Sequence, residues 1–254
     1  MNDFNEIKRV AKVYDTRASK SDSISAAGQW ISKDLAELII GEIIKKIQPN
    51  NSNLILEIGC GSGVLGREIV EKCQNYIGFD ASRLMLKKFH DEHNGVNLIQ
   101  ASASHIPLRN DVFDKIVMNG VMMYFPNKEF LIKILEEIKR VSKNESLIFI
   151  GENIHPSKYY WELVWFENLS SLGQLIIKPY IRMRIWIAKK CPRFAGKWKH
   201  AHKAFSPKVI QDFFKDYSTV DITDASSYSI RKKLFGKNAK GNRRIDFLIR
   251  RNKK

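Results

Sequence analysis

Hydrophobic positions in the first 150 residues follow two patterns, a helical spacing of three to four residues and short unbroken apolar runs. The first pattern predicts helices and the second predicts buried strands. The predicted helices span residues 3–14, 31–47, 64–73, 83–93 and 130–141. The predicted strands span residues 54–58, 76–80, 96–100, 113–120 and 146–151. Strands and helices that alternate in this way form a parallel sheet covered by helices on both faces.

The alternation stops after Glu152 and returns at Ser206. Ser206 and Pro207 predict a helix start, because Ser is a preferred cap and Pro is preferred in the first turn. A helix over 207–214 and strands over 220–223 and 245–249 then complete the pattern. We therefore expect a doubly wound α/β fold with a mainly parallel, seven-stranded sheet and a helical insert after the fifth strand.

Composition excludes several classes of protein. With 44% hydrophobic and 28% charged residues, the chain has the balance of a globular protein rather than a disordered one. No stretch has the pattern of a signal peptide or of a membrane-spanning helix. The cysteines, Cys60, Cys73 and Cys191, are odd in number and widely spaced, which predicts neither a disulfide framework nor a zinc site. We expect a cytoplasmic location.

The positive charge is concentrated in the second part of the chain. Residues 1–150 contain 20 Lys and Arg against 19 Asp and Glu, whereas residues 151–254 contain 23 against 8. The insert combines this charge with aromatic residues, including Tyr159, Trp165 and Trp186. Such a surface favours a negatively charged partner, either a phosphorylated small molecule, a nucleic acid or an acidic lipid surface. A solvated basic face with no partner is the alternative.

A glycine-rich turn follows the first predicted strand. Gly59, Gly61 and Gly63 lie between that strand and a helix, and Asp80 ends the next strand. Glycine lets the backbone approach a nucleotide-like ligand, and a carboxylate beside the turn can accept hydrogen bonds from both hydroxyls of a ribose. Residues 61–66 also fit the dinucleotide pattern G-x-G-x-x-G, so a nicotinamide-dependent enzyme and a purely structural turn are the alternatives.

Several segments together resemble the successive motifs of class I S-adenosylmethionine-dependent methyltransferases. The segments are EIGCGSG at 57–63, GFDAS at 78–82, IPL at 106–108, FDKIV at 113–117 and IKRV at 138–141. The resemblance is strongest to the small-molecule branch that includes enzymes of ubiquinone and menaquinone biosynthesis, the type 11 methyltransferases. It implies a Rossmann-like methyltransferase fold with S-adenosyl-L-methionine as cofactor.

The resemblance also implies roles for parts of the chain. Residues 1–48 would form helices that cap the cofactor site, 49–153 the cofactor-binding core, 154–204 a basic aromatic lid, and 205–254 the helix and strands that complete the sheet. The implied cofactor-binding residues are Glu57, Gly59, Cys60, Gly61, Gly63, Asp80, Ala81, Met85, Ser102, Ala103 and Asn119. Ser102 stands where the family commonly has an aspartate that binds the adenine amino group.

Methyl transfer from a sulfonium needs alignment of the two reactants more than covalent catalysis. His155 and Tyr124 are the candidate bases that would remove a proton from the acceptor, with His105 a further candidate. Asn119 and Asn153 are placed to orient an acceptor, and Tyr14 resembles the N-terminal segment that closes over the cofactor in relatives. No metal is expected.

The sequence favours transfer to an oxygen or nitrogen atom of a small or lipid-linked acceptor that is anionic or aromatic. The basic insert predicts either a lid or peripheral contact with an anionic membrane. An RNA methyltransferase is the alternative enzyme, since cations and aromatic rings also suit a nucleic-acid groove. A cofactor-binding regulatory module without catalysis is the alternative outside enzymes.

Overall fold

The computed structural model describes residues 3–19, 21–27, 32–154, 204–235 and 244–251. Its helices are α1 (Asp3–Ala18), α2 (Ser23–Ala26), α3 (Lys33–Ile47), α4 (Gly66–Val70), α5 (Arg83–Glu92), α6 (Lys128–Val141), α7 (Pro207–Phe213) and α8 (Ser226–Phe235). Its strands are β1 (Ile55–Ile58), β2 (Tyr76–Asp80), β3 (Asn97–Gln100), β4 (Phe113–Asn119), β5 (Ser142–Ile154), β6 (Thr219–Asp224) and β7 (Arg244–Arg250). Within these ranges every helix is too short or too polar to cross a bilayer.

The strands form one seven-stranded sheet in the order β3-β2-β1-β4-β5-β7-β6. Strands β1 to β5 are parallel, and β7 runs antiparallel to both β5 and β6. The chain order reverses between β1 and β4, so the carboxyl ends of these strands border the crevice where ligands bind in open α/β sheets. The predicted fold class is confirmed.

Neighbouring residues on each strand face opposite sides of the sheet, and each side has its own apolar core. Leu56 and Ile116 belong to the cluster that α6 and α7 cover, whereas Ile55 and Val117 belong to the cluster beneath α3, α5 and α8. Successive residues of both strands are fully buried. This double burial explains why the central strands have continuous rather than alternating apolar sequences.

Local side-chain caps fix the starts of four of the described helices. Asp22, Ser32, Ser82 and Asn127 accept hydrogen bonds from the first turns of α2, α3, α5 and α6. Such caps satisfy backbone N–H groups that have no partner within the helix. The predicted starts of α3 and α5 lie within two residues of the observed ones because these caps are local in sequence.

Two features of the second part differ from the sequence expectation. The pattern predicts a fifth strand over 146–151 and no helix between β6 and β7, whereas β5 spans Ser142–Ile154 and α8 spans Ser226–Phe235. The first turn of α8 is capped from far away in the sequence, because Ser227 N–H donates to the Glu152 carboxylate at 3.0 Å. A cap from a remote strand leaves no local signal. The predicted insert, apart from Ile154 and Ala204, lies outside the described residues.

A buried polar network joins the end of α3 to β5, β7 and α8. Asp246 is 1% exposed, and its carboxylate accepts hydrogen bonds from Lys46 Nζ at 2.6 Å and from the backbone N–H of Glu152 at 2.8 Å. Ser226 also donates to this carboxylate through its backbone N–H and its hydroxyl. Glu152 itself has φ of 58° and lies where the β5–β7 register shifts. The network therefore holds a bulge near the carboxyl end of β5.

Burial and the neighbouring Glu152 carboxylate raise the pKa of Asp246 to about 6, against the opposing effect of Lys46. At pH 8 we expect Lys46→Met to lower the free energy of unfolding by about 2–3 kcal/mol, because it leaves a buried carboxylate without its cation. The loss should shrink at pH 5, where a protonated Asp246 needs no counter-charge. Urea unfolding of the wild type and the variant at both pH values measures this loss in the free energy of unfolding.

The matched control is Lys45→Met, since Lys45 is exposed and pairs with Glu42 on the surface at 2.9 Å. It should change the free energy of unfolding by less than about 0.5 kcal/mol at either pH. Equal losses in the two variants would show that the network does not stabilise the fold.

Candidate active site

The glycine turn after β1 has a backbone that other residues would not easily adopt. Gly59, Gly61 and Gly63 have φ of 74°, 52° and 80°. A Cβ at Gly59 would lie 2.3 Å from Val121 Cγ2, and one at Gly63 would lie 2.2 Å from Phe89. The first and third glycines are therefore required by close packing as well as by conformation. A Cβ at Gly61 would meet the end of Met85 at 3.2 Å, so the turn lies against another residue expected at the site.

Asp80 at the end of β2 binds the turn directly. One carboxylate oxygen accepts the Gly61 N–H at 2.9 Å, and the other accepts the Ser82 N–H at 2.8 Å. Burial raises the pKa of Asp80, and these two N–H groups oppose that shift by favouring the carboxylate. Asp80 is half-buried as a residue, so part of it remains exposed. The predicted proximity of Asp80 to the glycine turn is thus confirmed.

Glu57 lies beneath the turn rather than on its open side. It is 3% exposed, and the Tyr76 hydroxyl donates to its Oε2 at 2.6 Å. A Cβ at Gly66 would approach the same Oε2 at 2.9 Å, so the carboxyl group faces the start of α4. Burial is the main reason that the pKa of Glu57 rises to about 7, while the Tyr76 bond opposes the rise. Cys60 is also buried, and burial raises the pKa of its thiol.

Helix α1 packs across the opening near Asp80. Asp15 accepts hydrogen bonds from the Ser82 hydroxyl at 2.5 Å and from the Leu84 N–H at 3.0 Å, which fixes α1 to the first turn of α5. The Tyr14 ring stands edge-on to the Tyr124 ring, with centroids 5.5 Å apart. The two hydroxyls are hydrogen-bonded, and burial holds the pKa of Tyr14 well above its usual value. Helix α1 therefore lies against the first turn of α5 and the Tyr124 ring.

Helix α2 contacts the other side of the turn. The Ser62 hydroxyl donates to the backbone oxygen of Ser23 at 2.7 Å, and the Ser23 hydroxyl bonds to Glu92 in the last turn of α5. Asp15, Ser62 and Ser23 were not predicted from the sequence to contribute to the site. The only local signals were the Val13-Tyr14-Asp15 segment and the serine within the glycine turn.

The carboxyl end of β4 places another candidate next to the turn. Asn119 Oδ1 is buried and has no hydrogen-bond partner among the described residues. A Cβ at Gly151 of β5 would lie 2.4 Å from this oxygen, so Asn119 lies against the neighbouring strand. Val121, two residues on, packs on Gly59. Tyr124 follows in the short 3-10 turn Met122–Tyr124.

The turn after β3 contains Ser102 and Ala103, which the sequence predicts to lie near the adenine ring of the cofactor. The Ala101 N–H donates to the backbone oxygen of Asp80 at 3.1 Å, and the Ser102 and Ser104 hydroxyls are 3.0 Å apart. Ala103 lies between these serines and is half-buried, whereas His105 is exposed. Ala81 follows Asp80, and its backbone oxygen accepts from Gln100 Nε2 at 3.3 Å.

His155 and Asn153 were predicted from the sequence as candidates for contact with the acceptor, and the structure describes only Asn153. His155 lies outside the described residues, so its catalytic role stays a prediction. Asn153 uses its amide nitrogen within the fold, because Nδ2 donates to the backbone oxygens of Ile150 at 2.7 Å and Ile245 at 3.2 Å. In the described ranges no group of three or more His, Cys, Asp or Glu is placed to hold a metal ion.

One segment of the chain matches a known family. Residues 55–145 match the family described as methyltransferase domain. An uncharacterized methyltransferase of Schizosaccharomyces pombe is 30% identical over 123 residues, which cover 44% of this chain and 47% of that protein. The PF 1022-synthetase of a Rosellinia species is 24% identical over 165 residues, which cover 62% of this chain and 5% of the synthetase. The chain thus spans less than half the length of these relatives.

Solved structures share the fold at low sequence identity. Phosphoethanolamine N-methyltransferase 1 of Haemonchus contortus, in complex with phosphoethanolamine and S-adenosylhomocysteine, has a TM-score of 0.68 at 13% identity and matches 100% of this chain and 50% of its own. A SAM-dependent methyltransferase of Archaeoglobus fulgidus has a TM-score of 0.54 at 16% identity, over 85% of this chain and 94% of its own. Residues 55–145 therefore carry the sequence pattern of a methyltransferase domain, within a fold that this chain shares with S-adenosylmethionine-dependent methyltransferases.

Proposed function

We propose that the cleft at the carboxyl ends of β1, β2 and β4 binds S-adenosylmethionine and that the protein transfers its methyl group to an oxygen or nitrogen atom of a small or lipid-linked anionic acceptor. The observation that carries the cofactor assignment is the bond between Asp80 and Gly61 N–H at 2.9 Å. It places the carboxylate of a half-buried residue beside a glycine turn in which the only side chains, those of Cys60 and Ser62, are buried. The carboxylate can bind the hydroxyls of a ribose, and the glycine turn lets the rest of the cofactor approach the backbone closely.

The other cleft residues fit the same ligand. Asn119 Oδ1 has no partner among the described residues and is an acceptor for an N–H group, and a buried polar atom of this kind is costly unless a ligand satisfies it. Met85 contributes an apolar contact beside Gly61. Glu57 and Asp80 supply negative charge near a cofactor that carries a sulfonium and an ammonium group. Cys60, Ala81, Ser102 and Ala103 belong to the same turns and complete the proposed binding set.

Bound S-adenosylmethionine supplies an activated methyl group, so the chain's task is to align the acceptor, exclude water and accept a proton where the acceptor carries one. The edge-to-face pair of Tyr14 and Tyr124 closes one side of the cleft. Since the raised pKa of Tyr14 keeps its phenol neutral, Tyr14 acts as a hydrogen-bonding group that orients Tyr124 rather than as a base. We assign the contact with the acceptor to Tyr124, with His155 as the further candidate.

An anionic acceptor is supported by charge and by one structural neighbour. Residues 151–254 carry 23 Lys and Arg against 8 Asp and Glu, which raises the local concentration of anions. The Haemonchus enzyme named above binds phosphoethanolamine, a small molecule that combines a phosphate with the amine to be methylated. The proposed acceptor class has the same two parts, an anionic group for docking and an oxygen or nitrogen nucleophile.

Calorimetric titration tests the cofactor site. Wild-type protein should bind S-adenosylmethionine and S-adenosylhomocysteine, and Asp80→Asn should weaken both by about a hundredfold, because hydrogen bonds to a charged group contribute about 1.5–3 kcal/mol each. Asp91→Asn is the matched control, since Asp91 is exposed and pairs with Lys87 on α5. Saturable binding of a nicotinamide dinucleotide, with no heat from either adenosyl compound, would overturn the assignment.

Glu57 makes cofactor affinity depend on pH. The raised pKa of about 7 means that Glu57 loses its proton only near neutrality. A cationic ligand favours the ionised form, so affinity for S-adenosylmethionine should rise by up to about tenfold per pH unit between pH 5.5 and 7, then level off. Titrations of Glu57→Gln, which cannot ionise, should give a flat profile over this range. An equally steep profile in both proteins would remove Glu57 from the site.

Transfer of labelled methyl groups from S-adenosylmethionine into fractions of a cell extract tests activity and identifies the acceptor.

With the labelled fraction as substrate, Tyr124→Phe should lower kcat by about 10–100-fold through loss of a positioned hydroxyl. It should leave the affinity for S-adenosylhomocysteine unchanged. Tyr217→Phe is the control, because the buried Tyr217 hydroxyl has no partner among the described residues. Label in RNA rather than in small molecules would favour the RNA methyltransferase, and cofactor binding without any labelled product would favour a regulatory module.

A further inference from the structure

Arg17, in the last turn of α1, is a half-buried cation outside the binding set proposed above. Its guanidinium lies over the Tyr14 ring, with Cζ 5.0 Å from the ring centroid. It has no ion pair and no guanidinium hydrogen bond among the residues that the structure describes. By contrast, Arg140 and Arg250 have carboxylate partners at 2.7 and 3.1 Å. The five N–H donors of the Arg17 guanidinium are therefore available to a ligand.

The acidic residues closest to Arg17 in the sequence bond to other groups. Asp15 accepts hydrogen bonds from the Ser82 hydroxyl and the Leu84 N–H, which hold it to the first turn of α5. Asp22 caps α2 by accepting backbone N–H groups of that helix. Neither carboxylate forms an ion pair with the guanidinium, so the positive charge of Arg17 can attract an external anion.

The contacts of Tyr14 connect Arg17 to the candidate active site. Tyr14 and Arg17 are three residues apart on α1, so their side chains are neighbours on the helix surface. Burial chiefly raises the pKa of Tyr14, with smaller contributions from the nearby Tyr124 and Asp80, and Arg17 opposes the rise. The Tyr14 and Tyr124 centroids are 5.5 Å apart. The guanidinium is therefore no farther from the Tyr124 ring than these two centroid distances together, a span that one small molecule can bridge.

The chemistry of a guanidinium specifies what it binds. Its planar fork of N–H donors matches the two oxygens of a carboxylate or of a phosphate, and such charge-assisted pairs are stronger than neutral hydrogen bonds. The contact with the Tyr14 ring restricts the guanidinium of Arg17 before any ligand arrives. Less side-chain entropy is then lost when an anion binds.

We propose that Arg17 docks the anionic group of the methyl acceptor, a phosphate or a carboxylate, and is a specificity-determining residue of the site. The inference rests on the proposed function and narrows its acceptor class. The acceptor is a small molecule whose oxyanion lies a few bonds from the oxygen or nitrogen atom to be methylated. Arg17 contacts the oxyanion, and Tyr124 contacts the part that carries the nucleophile.

Calorimetric titrations of the full chain, saturated with S-adenosylhomocysteine and held at constant ionic strength, test this role with inorganic phosphate and acetate as separate probes. At least one probe should bind, and Arg17→Gln should weaken its binding by about tenfold or more through loss of a charge-assisted pair of hydrogen bonds. Arg17→Lys, which keeps the charge without the fork, should have an intermediate affinity. The probe that loses affinity identifies a phosphorylated or a carboxylic acceptor.

The matched control is Lys12→Gln, which removes an exposed cation from the same helix and should leave the affinity for both probes unchanged. Equal weakening in Lys12→Gln and Arg17→Gln would show attraction by net charge alone and overturn the inference. It is also overturned if the saturated wild type binds neither probe, or if Arg17→Gln weakens S-adenosylhomocysteine as much as it weakens the anion. Failure of the wild type to bind S-adenosylhomocysteine instead rejects the proposed function, which separates the two failures.

Discussion

The cleft depends on one carboxylate that two turns share. Asp80 accepts N–H groups from Gly61 and Ser82, so a single side chain holds the loop after β1 against the loop after β2. Burial of the carboxylate is unfavourable, and the two backbone donors offset that cost while leaving it able to accept further hydrogen bonds. The turn can then remain free of side chains on its open face. Any ligand that bonds to Asp80 is placed over the glycine backbone without further adjustment.

The same contacts extend to the N-terminal helices. Ser82 donates its backbone N–H to Asp80 and its hydroxyl to Asp15, and that hydroxyl also accepts from the Met85 N–H. Asp80, the first turn of α5 and helix α1 are therefore joined by hydrogen bonds at one serine. In the proposed site, the ribose would lie two hydrogen bonds away from α1. Tyr14, the residue before Asp15, is carried on the same helix.

Features encoded by adjacent residues could be predicted from the sequence, and features that depend on distant residues could not. Strand β2 was predicted over its observed range, Tyr76–Asp80, because a buried apolar run ends at an acidic residue within a few positions. The proximity of Asp80 to the glycine turn followed from strand adjacency alone. Helix α8 was missed because its first turn is capped by Glu152 and Asp246. The position of Glu57 beneath the glycine turn was also not predicted, since it depends on a hydrogen bond from Tyr76 on the next strand.

The division of charge along the chain matches the two reactants of the proposed reaction. Glu57, Asp80 and Asp15 lie around the cofactor cleft, in a part of the chain with 20 bases and 19 acids, whereas residues 151–254 hold the basic excess. In the proposed reaction, the first group would attract a cationic methyl donor and the second an anionic acceptor. Transfer removes the sulfonium charge from the donor, which weakens its attraction to the carboxylates. Under the proposed function, acidic residues beneath and beside a neutral glycine backbone would therefore favour the cationic methyl donor over a product that lacks the sulfonium charge.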